Sequence, residues 1–147
     1  MGTIRSYEDE DVEGLLDVWY RASLIAHHFL DDEFFENERI QIKESWLPIS
    51  DTVVWEHENR VIGFLSLVGN EVGAIFVDPD HQGQGVGRAL LDWASEARPY
   101  LELDVFEANA RGRSFYEAYG FEFLDRHVHE ASGQNELRLR LDKRSEA

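Results

Sequence analysis

The segment Ile75-Phe76-Val77-Asp78-Pro79-Asp80-His81-Gln82-Gly83-Gln84-Gly85-Val86-Gly87-Arg88-Ala89-Leu90-Leu91 constrains the fold more than any other part of the chain. It runs from an apolar strand, through a glycine-rich turn, into an amphipathic helix. Gly83, Gly85 and Gly87 let the backbone curl tightly, so several N–H groups converge on one small volume. Those donors sit at a helix N-terminus, where unpaired amides and the helix dipole favour an anion. The dipole contributes about 0.3–1 kcal/mol when exposed and up to about 2 when partly buried. Hydrogen bonds from the amides must supply the rest, and Arg88 adds a positive charge. The spacing lacks the Lys-Ser/Thr pair of a P-loop, and no strand-helix-strand unit with a ribose acid makes it a dinucleotide fingerprint. Two readings stand at this point: a tight strand-helix turn that binds nothing, or a cradle for an anion.

The flanking patterns imply an α/β order. Residues 3–7 read as a short strand, and Asp9 or Glu10 caps a helix whose apolar face carries Val12, Leu15, Leu16, Trp19 and Leu24. A second helix is expected over 32–46 with Phe35, Ile42 and Trp46 inward, ended by Pro48. Residues 52–55, 61–68 and 72–77 form a three-strand meander, turned at Glu58-Asn59 and Gly69-Asn70. A helix over 85–97, a strand over 101–106 and a helix over 110–119 closed by Gly120 follow. Strands over 121–129 and 136–141, turned at Ser132-Gly133, complete the pattern. The last five or six residues read as a loose tail. With no repeat or linker, residues 1–147 are expected to form a single domain.

Composition narrows the chemistry. Thirty acidic against 14 basic residues give a net charge of −16, which argues against duplex nucleic acid as a partner. Eighteen aromatic residues supply a core. The absence of cysteine removes thiolate nucleophiles and cysteine-ligated metals. His81, His127 and His129 show no metal-ligand spacing, so no metal is expected. No apolar run reaches the roughly 18–20 residues of a membrane span, and the first residues lack a signal peptide's basic and apolar regions. A cytoplasmic protein is the expectation. Residues 1–58 carry 15 acidic and 4 basic side chains, a net of −11. That excess reads either as a solvated surface or as attraction for a cationic substrate.

Gln82-x-x-Gly85-x-Gly87 resembles the Gln/Arg-x-x-Gly-x-Gly/Ala signature of the GNAT N-acetyltransferase superfamily. Further on, Asn109-x-x-Gly112-x-x-Phe115-Tyr116-Glu117-x-x-Gly120-Phe121 resembles that superfamily's Asn-x-x-Ala-x-x-Phe-Tyr-x-x-x-Gly-Phe segment, with Gly112 in place of alanine. His27-His28-Phe29-Leu30, before an acidic helix, is similar to a stretch in small bacterial acetyltransferases of the YjaB type. The resemblance covers nearly the whole chain. It implies a mixed central β-sheet splayed between two strands and flanked by about four helices.

It also implies acetyl-CoA as cosubstrate, with the pyrophosphate on the amides of Gln82 to Arg88 and the pantetheine arm along Ile75, Phe76 and Val77. Arg111 and Arg113 add positive charge nearby. Asn109 would hydrogen-bond that arm, a role compatible with capping a helix. Tyr116 is the expected general acid or hydrogen-bond donor to the leaving sulfur. A thiol pKa of about 8.5 against about 10 for tyrosine makes full proton transfer uphill by about 2 kcal/mol in water, and burial of the thiolate narrows the gap. The acceptor is a primary amine attacking directly in a ternary complex, and it must lose a proton. Glu71, Glu107 and His27, with His28, are the candidates to take it. Trp19, Tyr20, Phe29, Phe34, Phe35 and Trp46 supply aromatics around the acceptor, beside the acidic runs at 8–11 and 31–33. A monomer or homodimer is expected. The rival reading is a non-catalytic acyl-CoA-binding module, which keeps the turn and has no use for Tyr116.

Overall fold

The computed structural model describes residues 2–142, so the expected tail lies outside the described residues except for its first position. Seven strands form one sheet: β1 (Thr3–Ser6), β2 (Asp51–His57), β3 (Arg60–Val68), β4 (Glu71–Val77), β5 (Tyr100–Phe106), β6 (Glu122–His129) and β7 (Gln134–Asp142). Their spatial order is β1-β2-β3-β4-β5-β7-β6. All neighbours are antiparallel except β4 and β5. Four α-helices accompany them: α1 (Val12–Ala26), α2 (Asp32–Gln41), α3 (Val86–Ala97) and α4 (Ala110–Tyr119).

The alternation of the strands separates two cores. On one face, Val53, Leu65, Leu101 and Leu103 pack against Val86, Leu90, Leu91 and Ala94 of α3. On the other, Val54 and Phe64 pack against Leu15, Leu16, Val18 and Trp19 of α1 and Phe35 of α2. The polar turn Glu58-Asn59 takes φ of 52° and 63°, the left-handed pair that joins β2 to β3 as a two-residue hairpin.

Three local expectations are corrected. The chain enters α1 through a 3-10 turn over Asp9–Asp11 with Glu8 at the cap position, and Glu8 N–H donates to the Asp11 carboxylate at 2.8 Å. Leu24 is 43% exposed, because it lies off the stripe formed by Leu15, Val18, Trp19 and Ala22. The second helix is α-helical only to Gln41. It then widens into a π-type turn over Ile42–Trp46 and tightens into a 3-10 turn over Leu47–Ile49 containing Pro48. A wide turn rotates each residue less, so Trp46 swings off the core and is 51% exposed.

The parallel pair is where the sheet opens. β4 meets β5 only at Glu71 opposite Glu102, with Glu102 N–H donating to the Asn70 carbonyl at 3.0 Å. Against β3, Ser66 faces Ala74 and Leu67 faces Val72, leaving Gly73 as a bulge. A bulge bends its strand. Beyond Gly73 the rest of β4 diverges from β5 toward the C-terminal ends of both strands, where open α/β sheets place their ligands.

Candidate active site

A continuous cleft of about 930 Å³ passes through this opening. One half is lined by the diverging edge of β4, the glycine turn and the start of α4. Ile75, Phe76, Val77, Gln82, Gly83 and Gly85 all border it. So do Val86, Gly87, Arg88, Asn109, Arg111 and Tyr116. Gln84 and Arg113 do not.

The turn's geometry follows from its residues. Gly83 and Gly85 take φ of 81° and 86°, a region that costs L-residues about 1–2 kcal/mol. Gly85 is the N-cap of α3 and has no side chain to cap it. Ala89 N–H donates to the Gly85 carbonyl at 3.0 Å. The N–H groups of Val86, Gly87 and Arg88 precede that bond and have no partner within the helix. Gln82 Nε2 donates to the Val77 carbonyl at 3.1 Å, which ties the turn to the end of β4. Phosphate oxygens fit three open amides, and an extended arm fits the edge of β4 that β5 leaves unpaired.

Asp78 anchors the entrance to the turn. Its carboxylate, 1% exposed, accepts from Asp80 N–H at 2.8 Å and from Arg21 Nη1 of α1 at 2.5 Å. Burial alone would raise its pKa, but the Asp80 amide and Arg21 hold it below the ordinary carboxylate value. Arg21 also reaches Asp80 at 3.1 Å, so the first helix and the glycine turn are fastened together.

Asn109 caps α4, its Oδ1 accepting from Gly112 N–H at 3.0 Å. Gly112 is matched to that rotamer. A Cβ there would lie 2.5 Å from Asn109 Nδ2. Tyr116 packs on Phe115 and Phe121, with ring centroids 5.4 and 5.6 Å away. Burial pushes its phenol well above the ordinary tyrosine value, so it stays protonated at neutral pH and is a donor.

On the far side of the opening the walls come from α1, α2 and the outer strands. His27 borders the cleft, with its ring 5.0 Å from Phe106 and 5.9 Å from Phe29. Burial, then the neighbouring His28, push its pKa down to about 4, so the imidazole is neutral at pH 7. Trp19, Phe34, Phe35 and Trp46 reach the cleft, and Trp19 and Phe35 are otherwise core.

The three candidate proton acceptors fare differently. Glu71 borders the cleft but is held by both terminal nitrogens of Arg138. Glu107 does not line it. Instead it pairs with Arg126 at 3.0 Å on the surface, and that guanidinium holds its carboxyl below the ordinary value. Three further carboxylates, absent from the sequence reading, face the cleft: Asp104 of β5, Glu136 of β7 and Glu38 of α2. Burial raises the pKa of Glu136 and Glu38. Glu136 lies opposite Phe106 in the β5–β7 ladder and contacts His127 Nε2 at 3.2 Å. The spacing Phe34-x-x-x-Glu38 was the available signal for Glu38, because it sets a carboxylate into an apolar helical stripe.

Three side chains distant in sequence also converge. Asp104, His127 and Glu136 bring potential metal-ligand atoms within 4.8 Å of one another, a grouping that linear spacing did not reveal. Cationic groups already serve them: Arg138 lies 3.2 Å from Asp104, and hydrogen bonding to Asp125 raises the pKa of His127.

Residues 48–123 match the family model of the GNAT acetyltransferase domain. The chain belongs to the GNAT acetyltransferase family. It is 34% identical over 125 residues to the peptidyl-lysine N-acetyltransferase YjaB of Escherichia coli, with 84% of each chain covered. The peptidyl-lysine N-acetyltransferase YiaC of the same organism is 27% identical over 123 residues, covering 83% of this chain and 84% of its own. The solution structure of apo YjaB superposes with a TM-score of 0.85 at 31% identity, covering 95% of this chain and 97% of that one. As a GNAT enzyme the protein is an N-acetyltransferase that uses acetyl-CoA and acts on an amine. The splayed sheet and four helices agree with the fold expected from the motifs. Among the described residues, no helix is long and apolar enough to cross a membrane.

Proposed function

We propose that the protein acetylates a primary amine by direct attack within a ternary complex, with the cosubstrate and the amine entering from opposite sides of the β4–β5 opening. The observation that carries this reading is the single paired rung, Glu71 with Glu102, beyond which one cleft joins the open amides of α3 to a wall of aromatic and acidic side chains. The amides of Val86 to Arg88 hold the pyrophosphate, and the free edge at Ile75 to Val77 pairs with the pantetheine arm. Asn109 caps α4 through Oδ1 and turns Nδ2 to the same arm.

Tyr116 donates a hydrogen bond to the sulfur as the amine nitrogen bonds the carbonyl carbon and the C–S bond breaks. Its raised pKa suits donation to a desolvated thiolate better than complete proton transfer. The amine reacts only when neutral. At pH 7 a lysine-like amine with pKa about 10.4 is neutral at a cost of about 4.6 kcal/mol. Glu136, whose carboxyl burial makes more basic, takes that proton, since Arg138 engages Glu71 and Asp104 and Glu107 is outside the cleft. Neutral His27 accepts a hydrogen bond from the amine and orients its lone pair. YjaB and YiaC bear peptidyl-lysine names, which supports a lysine side chain among the acceptors.

The dependence on acetyl-CoA supports a cytoplasmic site of action. One sheet spanning residues 3–142 supports a single domain across the chain. The test is thiol release from acetyl-CoA across an amine panel, in the native protein and in Tyr116→Phe. Amine-stimulated release that collapses in the variant supports the reading. Acetyl-CoA binding without release by any amine would instead favour the binding module.

A further inference from the structure

The stripe facing the cleft along α2 and the wide turn that follows it reads Phe34, Glu38, Ile42 and Trp46, with Phe35 beside it. Each step is about one helical turn, so Glu38 occupies a position that the stripe otherwise fills with apolar side chains. Among the described residues its carboxyl has no hydrogen-bond or salt-bridge partner. Its titratable neighbour is His129, whose ring is flanked by Phe34 at 5.9 Å and Phe106 at 5.2 Å. His129 also interacts electrostatically with Glu136, so the ring is a shared neighbour of the two carboxylates. A half-buried carboxylate without a partner is costly unless a cation arrives to meet it.

The two carboxylates cannot serve the same nitrogen equally. The reacting nitrogen must be neutral when it attacks, so a carboxylate beside it works by removing a proton. Glu136 has that place, opposite Phe106 at the mouth of the opening. Glu38, on the α2 wall, suits a group that keeps its charge throughout.

We infer that Glu38 is a specificity-determining residue that selects acceptors bearing a second positive charge besides the amine that is acetylated. This rests on the acetyl-transfer reading above. The shared chemistry is a dication, and it has two sources: a small α,ω-diamine, or a lysine beside another basic side chain in a peptide. The aromatic walls of Phe34, Phe106 and His129 cover the apolar linker between the two charges.

The experiment compares kcat/KM for 1,5-diaminopentane with that for pentylamine. A second arm compares capped peptides in which the lysine is flanked by arginine or by glutamine. Both arms are run on the native protein, Glu38→Gln and Glu38→Asp, with the thermal shift on acetyl-CoA as the control for folding and cofactor binding. The native protein is expected to favour the dicationic member of at least one pair by about tenfold or more, the scale of one hydrogen bond to a charged group. The preference should fall toward unity in Glu38→Gln and return in part in Glu38→Asp, with the acetyl-CoA shift retained in both. The pair that discriminates identifies the source. Equal rates within both native pairs, or a preference that survives Glu38→Gln, would overturn the inference and leave acetyl transfer standing. If acetyl-CoA binds and no amine in either arm is acetylated, the transfer reading fails and this inference fails with it.

Discussion

Arg138 of β7 reaches past β5 to grip Glu71 of β4, with Nη1 2.8 Å from Oε2 and Nη2 bonded to Oε1. The same guanidinium bonds Glu102 at 2.9 Å and lies 3.2 Å from Asp104. One cation therefore bridges three carboxylates on two strands, at the rung where β4 and β5 still pair. Side chains join the halves of the sheet where backbone bonds run out.

Replacing Arg138 with glutamine leaves those carboxylates facing one another. The site is partly exposed, so solvent screening keeps the loss to about 1–2 kcal/mol, a fall of a few degrees in melting temperature for a chain of this size. High salt should shrink the difference between variant and native protein. An unchanged melt at low ionic strength would count against a stapling role.

Tyr116→Phe keeps the ring contacts with Phe115 and Phe121 and removes only the donor. The expected result is a loss of kcat of about 10²-fold, within the usual range for a positioned proton donor. KM for acetyl-CoA and the melting temperature should stay nearly constant. A variant with native kcat would remove Tyr116 from the chemistry.

Gly112→Ala brings two local effects into opposition. Alanine improves helix propensity by about 1 kcal/mol, while its Cβ displaces the Asn109 cap, a loss of about 1 kcal/mol. Stability should therefore change little. KM for acetyl-CoA should rise several-fold, since Asn109 must leave the rotamer in which it is proposed to meet the pantetheine arm. Steady-state kinetics read beside a melting curve separate the two effects.

His27 ties stability to acid. Its folded pKa of about 4 lies below the unfolded value near 6.5. The fold therefore has its full stability above pH 6.5 and loses it as pH falls toward 4, because the unfolded chain takes up the proton first. That gap corresponds to at most about 3 kcal/mol. His27→Phe should lose less stability than the native protein between pH 6.5 and 4, as read from melting curves. Parallel curves would mean that His27 does not titrate in this way.

Asp78→Ala leaves Arg21 without its buried partner and frees the start of the glycine turn proposed to hold the pyrophosphate. A stability loss of about 2–3 kcal/mol is expected, reduced from the buried-pair range because Arg21 is one-third exposed. KM for acetyl-CoA should rise with it. If Arg21→Lys retains most of the affinity, the pair acts by holding position.

What could be read along the chain was what neighbouring residues dictate. Glu58-Asn59 announced a hairpin, Gly83 to Gly87 announced a turn with open amides, and the spacing from Asn109 to Phe121 announced the helix that presents Tyr116. The π-type turn at Ile42 escaped, because its periodicity differs from that of an α-helix by a single residue. Glu136 escaped because it sits within ordinary strand alternation, and only the return of β7 beside β5 brings it to Phe106. Glu71 looked free because its partner lies 67 residues away. Pairings of that range depend on the order of strands in the sheet, and no local pattern encodes the insertion of β7 between β5 and β6.

The single rung between β4 and β5 also bears on how the protein is kept whole. Backbone groups along Ile75 to Val77 lack a strand neighbour on that side, so a cosubstrate bound along that edge, as proposed above, would complete the sheet as well as supply the acetyl group. In a cell, the supply of acetyl-CoA would thus help set how long each copy of the enzyme escapes proteolysis, because filling the seam stabilises the native state by mass action.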